Sequence, residues 1–165
     1  MQKIHNLHDL LIQELRTLLS AEQQWAAVLA RMIEIPDEAP LKEVFRDLFN
    51  DASEHSLRLS RIATLLEFVP RPKKCRMMET LVAEVNDIVS SSLARPVRDA
   101  ELICICRKAT HLAIASYGST RAFAELLDYG DVAELIEASE EDEVSAEDAL
   151  ALAASRVDVE AEALA

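Results

Sequence analysis

Acidic and imidazole side chains interrupt two otherwise apolar helical faces of this sequence, and these residue types could bind a metal ion. Within residues 11–32, positions spaced three and four apart are apolar except for Glu22. Within residues 41–66 the interruption is His55, and Asp51 lies one turn before it. A buried carboxylate without a partner is costly, so Glu22 predicts either a metal ligand or a buried ion pair. For His55 the alternative is a hydrogen-bonded core histidine.

Two further segments carry acids on their apolar faces, although the patterns are weaker. Glu84 lies on the face of a short segment, and either Asp142 or Glu143 lies on the face of the last long segment. Residues 140–143 are four consecutive acids, a pattern that is typical of a solvated surface. Hard oxygen ligands with some imidazole suit iron or manganese. Acids that project inward from several helices would form a carboxylate-bridged di-metal centre.

Long helices are the elements that must position these residues. The chain of 165 residues contains 2 Gly and 5 Pro, too few turn residues for a sandwich or a barrel, and 50% of its residues are hydrophobic. Prolines, glycines and a serine run that end helices predict helices over residues 8–33, 40–68, 75–89, 96–129 and 131–155. We expect Gly130 to supply the left-handed residue that ends the fourth helix, and Asp131 to cap the fifth.

This order of helices predicts an all-α fold, a ferritin-like four-helix bundle made of an up-down pair, a helical crossover and a second pair. A plain five-helix bundle is the alternative. The connections are short, so consecutive long helices should lie antiparallel and bring the mid-length acids and the histidine to one level. Residues 1–155 would form the single bundle domain, and residues 156–165 an acidic, frayed tail.

The charge and hydropathy patterns argue against several classes of function. Thirty acids against 17 bases give a net charge of -13, whereas a nucleic-acid-binding protein needs a basic face, and the basic patch at residues 71–76 is short. No apolar run approaches the roughly 18 residues of a membrane span. The N-terminal segment has no apolar signal core, and the three cysteines are an odd number. We therefore expect a cytoplasmic protein with no nucleic-acid or membrane partner.

Five segments, in order and covering nearly the whole chain, resemble the YciF-like (YciE/YciF) stress-induced ferritin-like proteins of bacteria. They lie at residues 7–22, 51–59, 75–84, 97–118 and 142–150. The most specific piece is the V-R-D-A sequence at residues 97–100, followed by His111 and by the pair Tyr117 and Gly118. The resemblance implies a four-helix bundle with a helical crossover, often a dimer, that is linked to stress responses and has no settled biochemical activity.

The resemblance also implies which residues would occupy a metal centre. The positions that match the family pattern are Glu22, Asp51, His55, Glu84, Glu143 and Glu147. In the fourth helix, Thr110 and Ala113 stand where the family usually has the two acids of an E-H-Y-E motif, and Arg107 replaces a common Gln. The implied ligand set is therefore incomplete, with either no cofactor or iron or manganese.

Three functions follow from these observations. The favoured one is a non-enzymatic, ferritin-like stress protein, a homodimer whose di-metal site has degenerated. The second is a di-iron or di-manganese carboxylate oxidase, or an iron-handling protein, that uses the remaining ligands. The third is an acidic helical adaptor for a protein partner.

We also expect a role for Arg107, which occurs in the helix that lacks the family's acids. Its guanidinium is predicted to enter the space of the missing metals and to pair with Glu22 or Glu143. The alternative places Arg107 at the solvent-facing edge of the bundle.

Overall fold

Residues 4–163 of the computed structural model are described, and within that range the chain forms five α-helices and no strand. The helices are α1 (Leu7–Met32), α2 (Ala39–Leu65), α3 (Arg76–Ser90), α4 (Arg95–Leu126) and α5 (Gly130–Glu162). The predicted all-α fold is confirmed, and the predicted helix bounds agree within one turn except at the end of α5.

The four long helices are arranged as two antiparallel pairs. Helix α1 packs against α2 and α4 packs against α5; across the pairs, α1 contacts α4 and α2 contacts α5. The short helix α3 connects the pairs and lies against α1 and α4. This is the predicted ferritin-like arrangement, in which each long helix presents one face to the centre of the bundle. None of these helices, within residues 4–163, is long and apolar enough to cross a membrane.

Apolar side chains form two core clusters that are separated along the bundle axis. One cluster includes Trp25, Phe45, Val85, Leu102 and Leu150. The other includes Leu15, Ile62, Tyr117, Val132 and Ile136. In each long helix, the residues between these clusters include buried polar side chains: Glu22 in α1, His55 in α2, Thr110 in α4 and Glu143 in α5. The two apolar clusters therefore enclose a polar layer at mid-length.

The left-handed residues that end two helices are not glycines. Asp128 has φ 58° and follows α4, and Glu67 has φ 52° and follows α2. A Schellman-type turn closes after each of them. Tyr129 N–H donates to the Ala124 carbonyl at 3.0 Å, and Phe68 N–H donates to the Ala63 carbonyl at 3.0 Å. The prediction that Gly130 is the left-handed residue is wrong.

Gly130 is instead the first residue of α5, which has no side-chain cap. Asp131 lies in the first turn of α5 rather than at its N-cap, so the predicted capping role is also wrong. Its carboxylate still lies near the positive end of the helix dipole, which is favourable.

Helix α5 continues to Glu162, so the expectation of a frayed tail is wrong for residues 156–162. Val157 and Ala153 pack against the core cluster that contains Leu41 and Leu150. Arg95 Nη2 also lies 3.9 Å from Glu160 Oε2. Residues 164 and 165 of the predicted tail lie outside the described range.

Candidate metal centre

Three buried side chains from three helices converge in the polar layer: Glu22, His55 and Glu143. One potential ligand atom of each lies within 4.8 Å of the others. His55 Nδ1 is 3.5 Å from Glu22 Oε1 and 3.6 Å from Glu143 Oε1. The exposed fractions of the residues are 4% for Glu22, 0% for His55 and 8% for Glu143, so little water competes for these atoms.

Helix α4 supplies hydroxyl groups to this layer rather than acids. The phenol of Tyr117, which is fully buried, donates a hydrogen bond of 2.6 Å to Glu22 Oε1. Its ring also meets the His55 ring edge to face, with centroids 5.6 Å apart and planes at 74°. The buried Thr110 hydroxyl faces Glu143 but has no partner with hydrogen-bond geometry.

The opposite side of the His55 ring faces a second group of polar side chains. His55 Nε2 lies 3.3 Å from Asp142 Oδ2, and Arg58 Nη1 donates to the same oxygen at 2.5 Å. Arg58 Nη1 also donates to the Ser139 hydroxyl at 3.3 Å. The Asp142 side chain is 37% exposed, so this group links the buried layer to solvent.

The charges of the layer change the protonation of its members. Burial, and then the nearby Glu22 carboxylate, raise the pKa of Glu143 from 4.5 to about 8. Burial opposes protonation of His55, but the carboxylates of Glu22 and Glu143 outweigh it and raise the His55 pKa. The layer therefore has an excess of negative charge that a proton or a cation would neutralise.

The donor set fits one transition-metal ion. Two carboxylates and one imidazole are ligands that suit iron, manganese or zinc. His55 Nδ1 is fully buried and has no hydrogen-bond partner, yet it points at the two carboxylates, as a ligand nitrogen would. A second ion has no comparable set, because Glu22, His55 and Glu143 form the one group of three or more potential ligands among residues 4–163.

The other predicted ligands lie outside this group. Asp51 is one turn before His55 and half-buried, and burial raises its pKa. Glu84 is at the surface of α3, where its carboxylate is 3.8 Å from Lys108 Nζ. Glu147, one turn after Glu143, contacts Arg107 and His111 instead of the polar layer.

The prediction that Arg107 fills the metal space is wrong. Its guanidinium binds Glu147 Oε1, through Nε at 2.8 Å and Nη2 at 2.5 Å, and its side chain is 42% exposed. Glu147 thus holds Arg107 at the edge of the bundle, in an ion pair that the sequence analysis did not foresee.

The polar partners of the three converging residues were not predicted from the sequence. Tyr117 was recognised only as part of a motif, although a tyrosine on an otherwise apolar face signals a phenol that needs a partner. Arg58 follows His55 by three residues and so lies on the same side of α2, a spacing that could have paired it with Asp142.

A narrow cleft reaches the polar layer between α1, α4 and the start of α3. Its walls include Leu18, Trp25, Met78 and Ala113, and Glu22 and Glu143 are also among its lining residues. The cavity volume is about 50 Å³, enough for a water-sized molecule to enter. Ala113, one of the two positions where the resemblance implies an acid, contributes only a small side chain to this lining.

Comparisons with known proteins agree with the architecture. The profile of a family described as "Domain of unknown function (DUF892)" matches residues 6–162. The protein YciF of Escherichia coli (strain K12) is 32% identical over 141 residues, which cover 83% of each chain.

Two solved structures have similar folds. The crystal structure of the E. coli stress protein YciF matches with a TM-score of 0.89 and 28% identity, over 93% of this chain and 98% of that one. YcfI, a putative structural protein from Rhodopseudomonas palustris, matches with a TM-score of 0.86 and 26% identity, over 90% of this chain and 95% of that one. The resemblance to YciF-like proteins is thus confirmed.

Proposed function

The chain belongs to the DUF892 family of YciF-like proteins, and we propose that it is a ferritin-like stress-response protein that binds a single metal ion and turns over no substrate. The observation that carries the proposal is the convergence of Glu22, His55 and Glu143 in a layer with no acid from α4. The similarity to a protein described as a stress protein supports the physiological role.

The chain's own residues would hold such an ion with little rearrangement. Glu22 and Glu143 offer one carboxylate oxygen each, and His55 offers Nδ1. Tyr117 restrains the Glu22 carboxylate through its hydrogen bond of 2.6 Å, so one ligand is oriented before binding. When bound, the ion would supply the positive charge that the buried carboxylates lack, and its binding free energy would add to the stability of the fold.

Among residues 4–163 no second ligand set is found, which supports the non-enzymatic part of the proposal. Two metals acting together need ligands on both sides of a shared centre, and carboxylates from several helices usually supply them. Here Thr110 and Ala113 occupy α4 at this level. Of the remaining family acids, Asp51 lies outside the converging group, and Glu84 and Glu147 contact basic side chains. Chemistry that requires a metal pair is therefore not expected.

A metal-dependent oxidase or iron-handling protein is the second candidate, and the narrow cleft favours it. A substrate as small as dioxygen could approach Glu22 and Glu143 through a cavity of about 50 Å³. In this alternative, Glu22, His55 and Glu143 would hold iron, which would supply redox chemistry with dioxygen as the electron acceptor.

Metal titration tests the proposal. We expect protein freed of metal by a chelator to bind one equivalent of Fe²⁺ anaerobically, or of Zn²⁺, and to gain thermal stability on binding. Glu22→Leu should abolish this binding, whereas Glu84→Gln, the matched control at a carboxylate outside the polar layer, should retain it. Two equivalents, or none, would overturn the single-ion site.

An oxidation assay separates the two candidates. When Fe²⁺ is added in air, the proposed function predicts that the unaltered protein oxidises it no faster than the Glu22→Leu variant does. Catalytic oxidation by the unaltered chain that is lost in Glu22→Leu and kept in Glu84→Gln would favour the second candidate.

The oligomeric state and the location of the protein also belong to the proposal. We propose a homodimer in the cytoplasm, on the basis of the family resemblance and of the sequence pattern described above. Light scattering at micromolar concentration should give twice the monomer mass of 18.3 kDa, and a monomer would contradict the dimer.

A further inference from the structure

We propose that Asp142, held in place by Arg58, is a positioning residue that keeps the proton of neutral His55 on Nε2 and leaves Nδ1 free to bind the ion. The inference rests on the proposed single-ion site and extends it to residues that do not touch the ion. It also assigns a role to the polar group on the solvent side of the imidazole, which the three ligands alone do not explain.

The hydrogen bonds around Asp142 define which imidazole nitrogen carries the proton. Asp142 Oδ2 faces His55 Nε2 at 3.3 Å. Arg58, which can only donate, binds that same oxygen at 2.5 Å. The atom opposite Nε2 is therefore an acceptor, fixed by a charge-assisted hydrogen bond, and Nε2 must donate to it. A neutral imidazole has one N–H, so Nδ1 then carries a lone pair.

The position of Nδ1 makes this choice of tautomer important. Nδ1 is fully buried, lies 3.5 Å from Glu22 Oε1 and 3.6 Å from Glu143 Oε1, and has no hydrogen-bond partner. If Nδ1 carries a lone pair, it completes a set of three donor atoms with the two carboxylate oxygens. If Nδ1 carries a proton, its N–H would donate to a carboxylate, and the nitrogen could not bind the ion.

The same arrangement bears on which ions are preferred. Imidazole nitrogen suits zinc, cobalt and ferrous iron, whereas magnesium and calcium prefer oxygen ligands alone. If Nδ1 were protonated, the site would offer two carboxylates only. The contact between Asp142 and His55 therefore favours a transition-metal ion over the more abundant hard cations.

The first test reads the tautomer directly in the metal-free protein. Nitrogen-15 chemical shifts of His55, recorded at a pH where its ring is neutral, should show a protonated Nε2 and an unprotonated Nδ1. In Asp142→Ala the acceptor is gone and the Arg58 donor remains, so the proton should move to Nδ1. Glu54→Ala is the matched control, because Glu54 Oε1 lies 3.7 Å from Arg58 Nε, whereas Asp142 Oδ2 contacts both Arg58 and His55 Nε2.

The second test measures binding of Co²⁺ by its visible absorption. Removing an outer partner of a metal-bound histidine usually lowers metal affinity about 10- to 100-fold. We expect a loss of that size in Asp142→Ala and none in Glu54→Ala. Asp142→Asn should restore both the tautomer and most of the affinity, because its amide oxygen can accept from Arg58 and His55 together.

The outcomes separate this inference from the proposed function. If the unaltered protein fails to bind Co²⁺ and Zn²⁺, the proposed site is wrong, and the tautomer measurement still decides the role of Asp142. If it binds Co²⁺ and Asp142→Ala binds equally well, the inference is overturned. A protonated Nδ1 in the unaltered, metal-free protein would also overturn it. Far-ultraviolet circular dichroism shows whether each variant is folded.

Discussion

At the scale of single residues, burial changes the pH at which a carboxyl group loses its proton. Glu143 is 8% exposed and shares the polar layer with Glu22. Two negative charges so close together, with little water, are unfavourable, so the folded protein favours a proton on Glu143 or a cation between the two. The predicted response to pH follows from this competition.

We predict that the metal-free protein loses stability as the pH rises from 5 to 8. Folded Glu143 keeps its proton up to a pKa of about 8, whereas the unfolded residue releases it near 4.5. Between these values the folded state binds more protons, so raising the pH favours unfolding. His55, whose pKa is raised, acts in the same direction, because its contribution is present below about 6.5 and is lost as the pH passes its folded pKa.

Thermal denaturation in the presence of a chelator measures this effect. The melting temperature of the unaltered protein should fall between pH 5 and pH 8. In Glu143→Gln, which cannot ionise, the decrease should be smaller. A melting temperature that rises over this interval, equally in the unaltered protein and in Glu143→Gln, would contradict the raised pKa of Glu143.

The sequence predicted Glu22 and His55 because each is the single polar residue on a long apolar face. It could not separate Glu143 from Glu147, since both match the family's acids and lie one turn apart. The difference arises from Arg107 and His111 on α4, which hold Glu147 near the surface. Likewise, Lys108 of α4 approaches Glu84. Contacts between helices determine which of these acids enters the polar layer, and the spacing of residues within one helix does not predict those contacts.

At the scale of helices, the chain ends α2 and α4 with residues that are poorly suited to the conformation required. Asp128 and Glu67 adopt left-handed φ values of 58° and 52°. A side chain in this conformation costs about 1–2 kcal/mol relative to a right-handed one, while glycine has no such cost. Gly130 was the predicted left-handed residue because glycine is the commonest residue in that conformation after a helix.

We predict that Asp128→Gly increases the free energy of unfolding by about 0.5–1 kcal/mol. Glycine removes the strain, and its greater freedom in the unfolded chain offsets part of the gain. The Schellman-type hydrogen bond from Tyr129 should persist, since it involves only the backbone. Urea denaturation of the two proteins measures the difference.

Asp131→Gly is the matched control for this substitution. It introduces glycine three residues later, inside the first turn of α5, where the backbone is helical and the carboxylate favours the helix dipole. We expect this variant to lose stability. If both substitutions were destabilising, the strain at Asp128 would be smaller than its φ angle implies.

The unexpected length of α5 has a different cause. The acid-rich composition of residues 156–165 suggested a solvated tail, but Ala153 and Val157 are four residues apart and share one face. That face packs on the core cluster around Leu41, and tertiary contacts of this kind stabilise a helix beyond its intrinsic propensity. A short apolar pattern at the end of a chain is hard to recognise when its partner is distant in sequence.

At the scale of the whole molecule, the exposed side chains carry most of the charge. The net charge is -13, from 30 acids and 17 bases. Exposed ion pairs such as Arg46 with Glu43, whose side chains are 44% and 63% exposed, each contribute little to stability. Repulsion among the excess acids acts over longer distances and opposes the compact state.

We therefore predict that sodium chloride stabilises the metal-free protein at pH 7. Raising the concentration from about 0.01 M to 0.15 M shortens the screening length from about 30 Å to about 8 Å, which reduces repulsion between distant carboxylates more than attraction within close pairs. The gain should be on the order of 1 kcal/mol, or roughly 2–4 °C in melting temperature. The double variant Glu141→Lys with Asp148→Lys changes two exposed acids of α5 and should show a smaller gain. A melting temperature that falls with salt would mean that local ion pairs, such as that of Arg121 with Glu140, outweigh the overall repulsion.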